Sequence, residues 1–178
     1  MLGSSIKHVF LISGICLINC LYHSRATAQI PKDKIYAVFL MNFTRVIEWP
    51  GEENSNEFVI GVLDDSQLAT ELKIVAQRRT GGKQKIKIEE YEAMNQIGSC
   101  HILFIPQSKS SYITRIVDKF PSNSMLIVTE KEGMAKVGSN INFLIVDHKI
   151  RFELNERTLK ERGLKPSPEL HSTGILVE

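Results

Sequence analysis

The segment IYAVFLMNFTRVIEWP, residues 35–50, carries the strongest structural signal in this chain. Its apolar residues recur at helical spacing, which predicts a largely buried helix. They include Ile35, Val38, Phe39, Val46 and Ile47. Trp49-Pro50 is expected to end the helix, because a proline moves the preceding residue away from helical geometry. Asn42 and Arg45 interrupt the apolar surface and are its candidates for a polar function.

Residues 1–28 have the form of an export signal. A basic start is followed by an apolar run at residues 9–21, and Ala-Thr-Ala at 26–28 supplies the small residues that a signal peptidase recognises. We expect cleavage after Ala28, a periplasmic location, and one mature domain at residues 29–178. The 43% apolar content of the chain is enough to form the core of such a domain.

Cys20 leaves a second interpretation of the leader open. A lipoprotein would be acylated at a cysteine in this position after cleavage, although Asn19 stands where a small residue is usual. The apolar run itself is short for a helix that spans a bilayer. Either interpretation places the mature domain outside the cytoplasm.

The charge of the mature chain gives no reason to expect nucleic-acid binding. Removing residues 1–28 takes away Lys7 and Arg25 and no acid, so 20 basic and 20 acidic side chains remain. Cys100 is then the only cysteine, and no internal disulfide can form. Because Cys100 begins the apolar run CHILFI, a buried inert thiol is the simpler interpretation. A disulfide between two molecules is the alternative.

The order of predicted elements favours an α/β fold. Continuous apolar runs predict buried strands at residues 58–63, 101–105 and 124–129, and an alternating run predicts another at 85–88. Helices are predicted at residues 66–77, 91–97, 108–120, 133–137 and 155–162. Residues 140–146 and 149–154, joined by Asp147-His148, predict a hairpin. We therefore expect a three-layer sandwich whose central sheet is mostly parallel, with an antiparallel edge hairpin.

No metal site, cofactor or catalytic activity is predicted. The mature histidines, His101, His148 and His171, lack the spacing of a local metal clip. The chain contains no G-x-S-x-G sequence, no P-loop and no dinucleotide fingerprint. We therefore expect a protein that is not an enzyme; an uncharacterised hydrolase using His101 or Asp65 is the least favoured hypothesis.

Two further motifs have a structural and a functional interpretation. Asp64-Asp65 would cap the next helix, which we favour, or form an acid pair at an active-site edge. Gly81-Gly82 lies among basic residues and would form a solvated loop, which we also favour, or attract a phosphate.

Asn42, Arg45 and Trp49 lie about one turn apart along the predicted helix. An amide, a guanidinium and an indole together would line a pocket for a small ligand. The same three groups would also serve as a network that covers a core tryptophan, which is the interpretation we favour.

Four separated blocks resemble the YfiR family. They are Ala37-Val38-Phe39-Leu40 with Asn42-Phe43 and Trp49-Pro50; the strand at 58–63; CHILFI at 100–105; and Asn140-Ile141-Asn142-Phe143 with RFELN at 151–155 and Gly163-Leu164-Lys165. Their order and spacing hold from about residue 33 to residue 165. Together the blocks are specific to the family, although each alone is weak.

The resemblance implies a periplasmic regulator that binds and represses an inner-membrane signalling protein. The expected partner is a diguanylate cyclase with a periplasmic sensor domain, and a homodimer is expected. Asn42, Arg45, Trp49 and His171 are the candidate ligand-binding or partner-binding residues. The alternative is a small-molecule sensor module that acts on a histidine kinase or a transporter.

The chain departs from the family pattern in three places. Asp64 stands where many members have glycine, Gly138-Ser139 replaces paired glycines, and residues 166–169 read Pro-Ser-Pro-Glu instead of isoleucine-serine-serine-lysine. The two prolines are expected to stiffen or unwind the last segment.

Overall fold

A seven-stranded sheet lies at the centre of the protein, in a computed structural model that describes residues 30–50, 56–79, 84–121 and 124–177. Its strands are β2 (Glu57–Leu63), β3 (Lys85–Tyr91), β4 (Ile102–Ile105), β5 (Leu126–Thr129), β6 (Ile141–Val146), β7 (Lys149–Asn155) and β9 (Ile175–Val177), in the order β3-β2-β4-β5-β6-β7-β9. All neighbours are parallel except β6 and β7, which form the predicted hairpin. The expectation of a mostly parallel α/β sheet is confirmed.

The helices cover both faces of the sheet. Their bounds are α1 (Lys32–Val46), α2 (Ser66–Arg78), α3 (Ile113–Lys119), α4 (Met134–Val137), α5 (Glu156–Glu161) and α6 (Pro168–Thr173), with 3-10 helices at Met94–Gln96 and Gln107–Tyr112. Ile102 and Phe104 of β4 pack with α1 and α2, whereas Leu103 and Ile105 pack with α3 on the other face. Successive strand residues alternate in this way because the side-chain period of a strand is two. The result is the predicted three-layer arrangement.

Helix α1 ends before Trp49-Pro50, where the sequence predicts its end. It stops at Val46, because Ile47 takes an extended conformation with φ of −123° and ψ of 137°. Ile47–Glu48 forms a short strand, β1, which pairs antiparallel with β8 (Lys165–Pro166) from the far end of the chain. The position of the helix end is therefore determined by a tertiary strand pairing and not by Trp49-Pro50.

Another difference from prediction lies at residues 91–97, where a helix was expected. Tyr91 is instead the last residue of β3, which pairs with β2 along seven residues. A single 3-10 turn at Met94–Gln96 follows, with the Gln96 side chain accepting from the backbone N–H groups of Glu92 and Ala93. Strand pairing extends further than the alternating pattern indicated.

The tail is ordered despite its prolines. Pro168 occupies the first turn of α6, where its fixed φ suits a helix, and the Ser167 side chain accepts from the N–H of Leu170 at 3.2 Å. After Gly174 the chain adds β9 to the outside of β7. Pro168 therefore begins a helix, Pro166 lies in the short strand β8 and neither unwinds the segment. The hairpin carries one further strand, β9, at its edge.

The backbone conformation of Asp64 explains why this residue can replace the glycine of the family pattern. Its φ is +48°, in the left-handed region that glycine adopts without a steric penalty. Aspartate is among the few other residues that tolerate this region. The Asp64 side chain forms an ion pair with Lys109 at 2.7 Å. The backbone turn therefore keeps its shape while a charge is added.

The Asn-Ile-Asn-Phe block forms a buried amide network between β5 and β6. The N–H of Ile127 donates to Asn140 Oδ1 at 2.7 Å, and Asn140 Nδ2 donates to Thr158 Oγ1 at 3.0 Å. Thr129 Oγ1 donates to Asn142 Oδ1 at 2.7 Å. Because these groups are buried, each bond satisfies an atom that water cannot reach.

No helix in the described ranges has both the length and the apolar character needed to cross a membrane. The predicted leader, residues 1–28, lies outside the described residues, so its outcome stays a prediction.

We predict that Asn140→Ala lowers the free energy of unfolding by about 1 to 3 kcal/mol. The change leaves the buried N–H of Ile127 and the hydroxyl of Thr158 without this partner. Chemical denaturation of the mature domain measures it. Asn42→Ala is the matched control, because Asn42 is exposed and its loss should cost less than about 0.5 kcal/mol. Equal losses for both variants would contradict the structural role of Asn140.

Candidate functional site

The carboxyl edge of the parallel strands is the first place to look for a site. Strand order reverses between β2 and β4, and open α/β sheets commonly bind ligands in the crevice at such a point. Here the Asp65 side chain accepts from the N–H of Leu68 at 3.1 Å and caps α2. The cap interpretation is therefore confirmed for Asp65, whereas Asp64 forms an ion pair with Lys109.

Glu130 occupies the neighbouring part of the same edge. Its side chain is only 7% exposed, accepts from Lys32 Nζ at 2.6 Å and accepts from the N–H of Gln107 at 3.1 Å. Burial and the nearby Asp65 carboxylate raise the pKa of Asp33, which lies in the first turn of α1. Glu130 is therefore paired with Lys32, as Asp64 is with Lys109. Within the described ranges, no three His, Cys, Asp or Glu side chains are arranged to hold a metal ion.

A cavity that is open to solvent lies between α1 and α2. This α1–α2 groove has a volume of about 450 Å³ and is lined by Ile35, Val38, Phe39, Met41, Asn42, Arg45, Val75, Arg78 and Arg79. Asn42 and Arg45 both lie on the exposed side of α1, so the structure brings these two predicted residues together. The partners from α2 were not predicted, because their position depends on how the two helices pack.

Trp49 lies apart from the groove and is 9% exposed. Its indole N–H donates to the carbonyl of His101 at 3.3 Å, and its ring meets Phe58 edge-on at 4.8 Å. His101 in turn stacks on Phe58 and accepts from the N–H of Val59 at 2.9 Å. Trp49 and His101 thus form a packed structural unit beside β2, and Trp49 does not line the groove with Asn42 and Arg45.

A second cavity of about 300 Å³ shares Asn42 with the groove. It lies between α1, β7 and α6, and Phe39, Phe43 and Phe152 line it together with Arg151, Glu169, Val46, Ile150, Leu170 and Thr173. Ring packing among the three phenylalanines gives it an aromatic wall. Arg151 and Glu169 were not predicted as site residues. Arg151 lies within the RFELN block at 151–155, and its position in that block is the sequence signal by which it could have been identified.

His171 lies in α6, and its Nε2 atom contacts a carboxylate oxygen of Glu156 in α5. Both side chains are about half exposed, with 47% and 50% of their surface accessible. The pair therefore connects two short helices at the surface, and His171 does not line the cavities that contain Asn42. The glycine pair at 81–82 falls in residues 80–83, outside the described residues.

Cys100 is buried against β2, near Gly61. Burial, and secondarily the Glu89 carboxylate, raise the pKa of the Cys100 thiol to about 12. A thiol must be deprotonated and accessible to exchange with a disulfide. A bridge between two molecules would therefore require local opening of the domain.

We predict that Cys100 reacts slowly with a thiol reagent at pH 8 and is modified at once after unfolding. The native rate should be at least about a hundredfold lower, because both burial and the raised pKa suppress the reactive thiolate. Absorbance of the released chromophore, with and without denaturant, measures the two rates. Rapid native labelling, or a dimer band that disappears on reduction, would contradict this inertness.

A comparison with protein families matches the region that contains the four family-like sequence blocks. A YfiR/HmsC-like family model matches residues 33–174, from the first turn of α1 to the residue before β9. The match covers well over half of the chain and includes both cavities that contain Asn42. The chain belongs to the YfiR/HmsC-like family.

Proposed function

We propose that this protein is a non-catalytic periplasmic regulator that binds a membrane signalling protein and represses it. The proposed partner is a diguanylate cyclase with a periplasmic sensor domain. The observation that carries the proposal is the family match over residues 33–174. The export-signal form of residues 1–28 supports the location, with cleavage after Ala28.

Repression by contact requires a surface that binds one state of the sensor more tightly than another. Candidate surfaces exist, since several large apolar side chains are exposed. They include Val38 on α1, Ile145 and Val146 at the end of β6, and Ile175 and Leu176 on β9. These residues lie in separate parts of the fold, so one surface could form a homodimer while another binds the partner. The homodimer is proposed from the family resemblance.

We predict that deleting the protein raises cellular cyclic di-GMP several-fold and that the exported chain, supplied in trans, restores the original level. Repression by a periplasmic protein acts on the sensor domain, so removing it should release the cyclase. Quantification of cyclic di-GMP in cell extracts measures the effect.

The matched control is the chain without residues 1–28, expressed to the same level in the cytoplasm. It should fail to restore the low level, because it cannot reach a periplasmic domain. Unchanged cyclic di-GMP on deletion, or full restoration by the leaderless chain, would count against this partner and this location.

A second candidate function is a small-molecule sensor, favoured by the cavity between α1, β7 and α6. Its aromatic wall suits an apolar ring, and Arg151 and Glu169 offer one positive and one negative group at the same cavity. A molecule with a ring, a carboxylate and an amine matches that set. Trp49 is absent from its lining, so tryptophan fluorescence is a poor reporter of binding there.

We predict that phenylalanine, used as the probe, binds the mature domain and that Arg151→Ala weakens binding about tenfold or more. The substitution removes a charge-assisted hydrogen bond to the carboxylate. Titration calorimetry measures the affinity. Arg157→Ala is the control, because Arg157 pairs with Glu161 at the surface outside this cavity. Absence of heat, or equal affinity in the Arg151 and wild-type proteins, would count against this cavity as a ligand site.

A further inference from the structure

The apolar part of the α1–α2 groove is accessible to a partner. Ile35, Val38 and Val75 contribute to its lining, and Val38 is 58% exposed. Ile35 and Val38 are three residues apart on α1, so their side chains lie on one face of the helix. An apolar strip between two helices presents the surface on which a third helix packs.

Three arginine side chains lie at one end of the α1–α2 groove. Arg45 is in the last turn of α1 and Arg78 in the last turn of α2, and Arg79 follows directly. Arg79 Nη1 donates to Thr44 Oγ1 at 3.2 Å, which places the carboxyl ends of the two helices side by side.

The positive charge of these arginines is not neutralised within the groove. None of the lining residues is acidic. Among the described residues, no ion pair joins Arg45, Arg78 or Arg79 to a carboxylate. A binding partner that brought carboxylates to this end would find three guanidinium groups that form charge-assisted hydrogen bonds readily.

The shape of the groove favours a helix over a flat surface. From Ile35 to Arg45 the groove follows about 15 Å of α1, the length of a helix of about ten residues. A protein segment that binds a bilayer instead carries protruding apolar side chains flanked by cations along its length. Here the apolar residues lie between two helices and the cations lie at one end.

We propose that the α1–α2 groove binds an acidic amphipathic helix of the membrane signalling partner. Its apolar side chains, spaced three and four residues apart, pack on Ile35, Val38 and Val75. Its acidic end lies over Arg45, Arg78 and Arg79. This assignment rests on the proposed regulatory function, since it names the surface and the chemistry of that partner.

The test places a photoreactive benzoylphenylalanine at position 38 of the full chain, expressed in cells. We expect one membrane-protein adduct, in which mass spectrometry maps the attached segment to an acidic helix with apolar residues at that spacing. Arg45→Glu and Arg78→Glu should each lower the adduct yield about tenfold, because like charges then face each other. Reversing an acid of the mapped segment to lysine should restore the yield with Arg45→Glu.

The controls use the opposite face of the sheet. The same photoreactive residue in place of Val137, which is also exposed, should give no such adduct, and Lys136→Glu should change the yield at position 38 less than twofold. Circular dichroism of each purified variant checks that it is folded. An adduct to lipid, to a second copy of this chain or to a segment without acidic residues would overturn the proposal, as would the absence of any adduct at position 38.

The two proposals fail in different ways. If Arg45→Glu and Arg78→Glu restore normal cyclic di-GMP in the deletion strain as fully as the wild-type chain does, the regulator stands and the groove is not its binding surface. If deletion leaves cyclic di-GMP unchanged while the acidic-helix adduct forms, the groove stands and the partner is not a cyclase.

Discussion

Aromatic packing between α1 and the sheet is the interaction on which the rest of the architecture depends. Tyr36 stacks on Phe143 at 4.4 Å and Phe43 meets Phe152 at 5.7 Å, so one helix is held against both strands of the β6–β7 hairpin. Such pairs contribute roughly 0.5 to 1.5 kcal/mol each beyond the area they bury. Because the inner face of α1 is already filled, Val38 on its outer face can be covered only by another molecule or remain in water.

The crevice where strand order reverses, between β2 and β4, differs from the α1–α2 groove because its charged groups are already paired. In many open α/β proteins this crevice is where ligands bind. Here Asp65 is committed to a helix cap, Asp64 to Lys109 and Glu130 to Lys32. These pairs connect the loops that follow β2, β4 and β5, so the edge serves to fix the fold. The two cavities that contain Asn42 instead both border α1.

The sequence predicted the parts of the fold whose signal is local. Buried parallel strands are continuous apolar runs, which is why residues 58–63 and 124–129 were recognised. It could not locate β1 and β8, because strands of two residues exist only through their pairing with each other. For the same reason Asn42 and Arg45 could be selected from the helix pattern, whereas Arg78 joins them only through the packing of α2 on α1.

The pairing of β1 with β8 also has a consequence for how the chain folds. It joins Ile47 to Pro166, and α1 finds its aromatic partners more than one hundred residues later in the chain. Contacts so distant in sequence incur a large loop-closure cost before they stabilise anything, which slows folding. Helix α1 is synthesised long before these partners, so its aromatic face stays exposed until nearly the whole chain has followed. A chaperone that shields this face would protect the protein during the interval when it is most prone to aggregate.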